Sequence, residues 1–275
     1  MKNLNHINFI KNALILAFII TLGLIPKIAL AQNKPIESKV YAWADFPVIQ
    51  KPKAEQRQIL EGTTPSFKTF KVHATTLHPH SSLKPIHRQE DEELVIIKDG
   101  ELTVTIEGKT KKLVAGGVAL MLAGDERGFE NTSDANVTYY VFQYESYLPV
   151  DKERGKKAGA SLMLNWNEIP FKQHDKGGKR DFFNLPTSMA TRFEMHVTTL
   201  NEGLMSHPPH THKAAEILLL VNSQKDEISS KAQETIDGTW HDALVGDVIF
   251  LQSNVPHGIR NTGKGTCTYF AFQFE

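Results

Sequence analysis

Short apolar runs broken by turn residues, rather than helical stripes, dominate the chain. Leu94-Val95-Ile96-Ile97 stops at Lys98-Asp99-Gly100, a hairpin signal, and Leu102-Thr103-Val104-Thr105-Ile106 alternates apolar with polar positions before Glu107-Gly108. Runs over residues 118–122 and 137–142 continue the series, and 217–221, 248–251 and 268–274 write it again. A period of two directs alternate side chains to opposite faces, so each run reads as a strand with at least one buried face. Helical periodicity is weak throughout. Many short β-branched and aromatic runs at regular spacing predict an all-β fold of antiparallel sandwiches or barrels.

An internal repeat sets the number of modules. With an offset of 123, Tyr41-Ala42-Trp43-Ala44-Asp45-Phe46-Pro47 falls on Leu164-Asn165-Trp166-Asn167-Glu168-Ile169-Pro170, and Arg57 on Arg180. The same offset superposes Phe70, His73 and Thr75-Thr76-Leu77 on Phe193, His196 and Thr198-Thr199-Leu200, then His87 on His210 and Glu93 on Glu216. After a seven-residue insertion in the second copy the offset is 130, bringing Gly116 onto Gly246, Asn131 onto Asn261, Thr138-Tyr139 onto Thr268-Tyr269 and Phe142-Gln143 onto Phe272-Gln273. The modules are expected over 32–145 and 162–275, joined by a charged, solvated linker over 146–161.

Composition narrows the class. With 40% hydrophobic and 23% charged residues among 275, the chain can bury real cores and is neither disordered nor a polytopic membrane protein. The apolar run from Asn12 to Pro26 follows two lysines and leads to Ala29-Leu30-Ala31, the layout of a secretory signal peptide cleaved after Ala31. The run is shorter than the roughly 20 residues of a membrane span. Removing residues 1–31 takes away Lys2, Lys11 and Lys27 and no acid, leaving a formal charge of −3. Nothing in that balance is suited to nucleic acid. The mature chain is expected to be periplasmic or secreted, acting on a small molecule as a monomer or homodimer. Cys267 stands alone, so no internal disulfide and no thiolate cluster can form. It reads as a buried apolar residue.

Any metal must therefore be held by His, Asp or Glu. In a strand His210 and His212 would face one side and offer two imidazoles to one point. Glu216 heads the next apolar run and can add a carboxylate, and His257, on a later strand, a third nitrogen. Three imidazoles and a carboxylate suit one divalent ion of the Mn, Fe, Ni, Cu or Zn kind and leave a position for water or substrate. The spacing G-x6-H-x-H-x3-E from Gly203 to Glu216, then G-x10-H-x3-N from Gly246 to Asn261, resembles the two motifs of the cupin superfamily. The whole mature chain resembles a bicupin. That resemblance implies two tandem jelly-roll (cupin) barrels, with His210, His212, Glu216 and His257 as metal ligands in the second. The departures are Ser223 in place of the glycine after Glu216, a first-motif spacer one residue longer, and Gln252 and Asn254 at usual Pro and Gly positions.

The first copy keeps His87 and Glu93 but has Gln89 and Arg127 in the other two slots. A guanidinium only donates and cannot ligate a cation, so Arg127 is expected to neutralise Glu93. The first barrel then shapes structure or pocket; the other reading is that His87, Gln89 and Arg127 take an anion without metal. Beyond these, His78, His80, His174, His207 and His241 join no constellation; His207, beside Pro208-Pro209, reads as a surface residue, with the pocket mouth as the other reading. Lys176-Gly177-Gly178-Lys179-Arg180 lacks the context of a phosphate loop and reads as a turn.

Two assignments of the strand near 193–197 stay open. Phe193, Met195 and Val197 can form an apolar pocket wall, with Gln252, Tyr269 and Gln273 as polar substrate contacts. If the other face points inward, Glu194 or His196 becomes a candidate catalytic base and Arg192 a carboxylate clamp. A bound ion can act as a Lewis acid, activate water or present dioxygen, so dioxygenase, decarboxylase, isomerase and aminohydrolase types all stay open. The degenerate first barrel resembles ureidoglycine aminohydrolase, a manganese enzyme, whose ligand order is expected to be Glu, His, His, Gln. The His, His, Glu, His set resembles oxalate decarboxylases and two-barrel dioxygenases. The expected function is a metal-dependent enzyme on a small polar substrate: an organic acid, a sugar acid or a ureido compound. The alternative is a non-catalytic cupin that keeps its metal for ligand capture or structure.

Overall fold

Every apolar run from Leu94 onward lies in or heads a strand, and among the described residues all pairings between the strands are antiparallel. The computed structural model describes residues 34–222 and 230–275. The signal peptide expected over 1–31, and Ser223, lie outside the described residues. Each module pairs a larger sheet with a smaller one. In the N-terminal module the larger sheet runs Val118–Met121, Glu92–Asp99, Val137–Ser146, Phe67–Leu77, Ala54–Gly62, Ile49–Lys51, and the C-terminal module repeats the order with Val248–Leu251, Ala215–Val221, Cys267–Phe274, Phe193–Leu200, Gly177–Leu185, Lys172–His174. The smaller sheets are built around Glu101–Ile106 and Lys231–Ile236. The chain thus folds as two tandem jelly-roll barrels.

The first strand of each module completes the sheet of the other. Lys39–Tyr41 pairs with Val248–Leu251, and its repeat partner Leu162–Leu164 pairs with Val118–Met121. Both modules accordingly fall in one compact unit. The tryptophans after the exchanged strands follow them. Gly116, at φ 79°, packs under Trp166, and a Cβ placed there would lie 2.6 Å from the indole. Arg57 lies over Trp43 and Arg180 over Trp166, at 4.8 and 5.1 Å from ring centroids.

Two faces of each large sheet are buried, and the alternation sorts side chains between two cores. Phe67, Phe70, Phe142 and Tyr144 from one module meet Phe193, Phe250, Phe272 and Phe274 from the other in a layer between the barrels. Ring centroids of Phe67 and Phe274 are 4.9 Å apart, and those of Phe142 and Phe272 4.8 Å. Such pairs each add about 0.5–1.5 kcal/mol beyond their buried area. The opposite faces fill the barrels: Val95, Ile97, Val104 and Tyr139 in one, Leu218, Leu220, Tyr269 and Ala271 in the other. Cys267 is buried in the second barrel, where burial pushes its thiol up to about 12. It is the small apolar residue expected.

Two local expectations change. The connector is not solvated along its length: Lys152–Lys157 is a helix capped by Asp151, with Gly155 buried and Arg154 Nε donating to Thr187 O at 2.7 Å. Lys176 to Arg180 is not one turn, since the turn lies at Asp175-Lys176 and Gly177–Leu185 is a strand. Gly178 fits there because the Phe171 ring occupies the place of a Cβ, at 2.1 Å.

Substitution of two left-handed glycines separates backbone cost from packing between modules. Gly108, at φ 74°, has nothing near its missing Cβ, whereas Gly116 meets Trp166. Gly108→Ala should cost about 1 kcal/mol and Gly116→Ala about 2–4 kcal/mol. Equal losses in urea unfolding would contradict the packing role given to Trp166.

Candidate metal centre

The C-terminal site is assembled by backbone pairing across the barrel mouth. His210 and His257 exchange both backbone hydrogen bonds at 3.0 Å, an antiparallel bridge that brings their side chains together. His210 and His212 do not lie on a strand as expected; apart from that bridge the segment is a loop, held also by Asn254 N donating to His212 O at 2.8 Å. Glu216 is the second residue of Ala215–Val221, and His257 opens His257–Asn261. Asn261 of the second motif anchors the far end of that strand, its amide donating to Leu200 O and Gly265 O.

The nitrogen atoms of His210, His212 and His257 available for ligation lie within 4.8 Å of one another. Glu216 Oε2 sits 3.1 Å from His212 Nε2 and 3.0 Å from His257 Nε2. Second contacts fix the tautomers. His212 Nδ1 donates to Ala214 O at 2.8 Å and His257 Nδ1 to Val255 O at 2.7 Å. Each ring then turns its Nε2 lone pair inward, the usual preparation of an imidazole ligand. His257 Nε2 is buried without a hydrogen-bond partner, although the Glu216 carboxylate is close. Inward lone pairs facing a carboxylate are brought to terms by a cation among them. The triad can bind a metal ion, and the residues present fit one.

The carboxylate and the imidazoles also act on one another's charge. Burial works to raise the Glu216 pKa, but contacts with His212 and His257 outweigh it and hold it at about 2. Hydrogen bonding to Glu216 raises His212, whereas burial and the neighbouring imidazoles of His207, His257 and His212 lower His210.

Below the triad lies a cavity of about 250 Å³. His196 and Tyr269 line it, so the polar face of Phe193–Leu200 points inward, while Phe193, Met195 and Val197 belong to the layer between barrels. Glu194 is outside the lining; it pairs with Arg192 and lies 3.5 Å from His196 Nδ1. Arg192, bound to Glu194 and 3.4 Å from Glu275, is committed there and does not line the cavity as a clamp. Gln273 does face the cavity, but its amide is engaged: Oε1 accepts from Arg192 at 3.3 Å and Nε2 lies 3.3 Å from His212 Nε2. Gln252 is elsewhere, donating to Ile36 O at 2.7 Å and tying down the chain before the exchanged strand. His207 and His174, expected outside any constellation, both line the cavity.

Sequence reasoning missed Glu234. It is fully buried, its Oε1 accepts from Gly258 N at 2.8 Å, and its Oε2 has no partner. Burial, and then the Glu216 charge, raise its pKa well above the usual carboxyl range. On the alternating run Lys231–Ile236 an inward Glu between Ala232 and Ile236 was visible as a break in pattern, but its register against His257 was not.

In the N-terminal module the same bridge pairs Arg127 with His87. Arg127 is fully buried, with Nη1 3.1 Å from Glu93 Oε2 and Nη2 donating to the carbonyls of Gln89, Asp91 and Leu122. The expected ion pair occupies the place of a metal.

The raised pKa of Glu234 sets a pH dependence. Its contribution to stability is full below the ordinary carboxyl pKa and is lost as pH rises toward the folded-state value. For the metal-free chain, Glu234→Gln, which cannot ionise, should lose less melting temperature than the parent between about pH 5 and 8. Parallel curves would contradict a protonated Glu234.

The Cupin domain family matches residues 74–143, the module without the histidine triad. No curated protein matches the chain in sequence. Among solved structures, protein Ylba from E. coli superposes with a TM-score of 0.63 at 18% identity, over 86% of this chain and 90% of that one. An oxalate decarboxylase of Lactobacillus farciminis, solved as its formate complex, gives 0.64 at 12% identity, over 86% of each. A cupin 2 conserved barrel domain protein from Leptotrichia buccalis gives 0.59 at 14%, over 89% of this chain and all of that one. The chain carries a Cupin domain over residues 74–143, and its two jelly-roll barrels, with both motif positions at the barrel mouths, have the fold of these solved structures.

Proposed function

We propose that the C-terminal barrel holds one divalent metal ion, of the Mn, Fe, Ni, Cu or Zn kind, on His210, His212, Glu216 and His257, and is a metal-dependent enzyme acting on a small polar substrate. The observation that carries this reading is a buried carboxyl, Glu234, facing the same cavity as the convergent ligand set. When bound, the ion supplies Lewis acidity toward a chelating oxygen of the substrate. Burial favours the protonated form of Glu234, which can deliver a proton to, or recover one from, a substrate in the cavity. His196 and Tyr269 offer polar contacts to an organic acid, a sugar acid or a ureido compound. A non-catalytic cupin would have no use for a buried acid with one oxygen unpartnered, which costs stability. The same proposal takes the chain to the periplasm or beyond, on the signal-like sequence of residues 1–31.

Metal quantification on residues 32–275 should give about one ion per chain, and His257→Ala should weaken retention by at least about 100-fold. Turnover is sought as ammonia release, oxygen uptake and carbon dioxide release on a panel of small acids and ureido compounds. His210→Ala should abolish it in a folded double barrel, and Glu234→Gln should lower it by about 10²–10⁴-fold with metal content unchanged. Silence on all three assays with metal bound, or full activity in His210→Ala, would reject the enzyme. Amino-terminal sequencing of the exported chain should begin at Gln32; an intact Met1 in a cytoplasmic fraction would reject export.

A further inference from the structure

The N-terminal module has its own cavity, of about 270 Å³, lined at positions that line the C-terminal one. His73, Thr75 and Tyr139 correspond under the repeat to His196, Thr198 and Tyr269. Two correspondences change the chemistry. Lys51 and Lys84 stand where the other cavity has His174 and His207. Neither ammonium has a carboxylate partner among the described residues. Their charge reaches the interior: burial, and then Lys51 and Lys84, bring the His73 pKa down to about 4. Glu93, the acid in the lining, is neutralised from behind by Arg127. The Asp91 carboxylate sits behind Gln143, whose amide it accepts.

The cavity therefore carries a permanent positive charge that needs no ion. Ammonium groups stay protonated at neutral pH where imidazoles do not, and a partly desolvated carboxylate between two of them gains charge-assisted hydrogen bonds. We propose that the N-terminal barrel is a metal-free binding site for a small organic carboxylate, held between Lys51 and Lys84 at the cavity mouth. This does not depend on the metal reading of the other barrel.

The probe is malonate, titrated by calorimetry into chelator-stripped chain at low ionic strength. Saturable binding is expected, with none for the uncharged isostere malonamide. Lys51→Gln/Lys84→Gln should weaken malonate binding by about tenfold or more, and Lys51→Arg/Lys84→Arg should retain it. Both lysines are exposed, so thermal unfolding of either variant should match the parent. Absence of malonate binding, equal binding of malonamide, or equal affinity in the Gln variant would overturn the proposal.

Discussion

A strand buried on both faces leaves no residue free to choose its side, and this constraint organises the molecule. In Cys267–Phe274 the aromatics Phe270, Phe272 and Phe274 enter the layer between barrels, so Tyr269, Ala271 and Gln273 must enter the barrel. The same rule in Phe193–Leu200 sends Phe193, Met195 and Val197 outward to the shared layer and His196 and Thr198 inward. Hydrophobic packing between modules thereby decides which polar groups face the cavity. Slipping one strand by a residue would exchange the two sets, placing charge in the aromatic layer.

The exchanged strands reinforce that register. Lys39–Tyr41 closes an edge that Val248–Leu251 would otherwise leave open, and Leu162–Leu164 does the same for Val118–Met121. Gln252, next to the closed edge, spends its side chain on the incoming segment through Ile36 O. That is why a residue within the second motif is a strut of the fold and not a contact in the cavity.

Fold class, strand positions and repeat were legible because each rests on periodicity within a few residues. The convergence of His210, His212, Glu216 and His257 was legible because two motif spacings place them together. Face assignment at 193–197 was not, since both faces alternate and only the partner barrel shows which is covered. Glu234 breaks the apolar face of Ala232 and Ile236, but what it meets was hidden until its neighbour across the sheet is known to be Ile259, with Gly258 donating to it. The role of His174 and His207 needed the third dimension as well, because they reach the cavity from a strand end and a loop.

The two barrels answer one electrostatic problem in different ways. Each buries a carboxylate at the head of its central strand, Glu93 or Glu216, and a buried carboxylate needs a positive partner. In the N-terminal barrel Arg127 meets that need permanently, and its Nη2 is held by three carbonyls that a metal ligand set would not use. Once a guanidinium fills the slot, a second imidazole at position 89 has no ion to hold, and an amide suffices. Gln89 donates to Glu93 Oε1 at 3.1 Å, completing the carboxylate's shell. In the C-terminal barrel the partner is instead shared among imidazoles whose charge is conditional, so Glu216 is best satisfied when a cation is present. One scaffold thus yields a site closed by its own ion pair and a site whose side chains could take a cation.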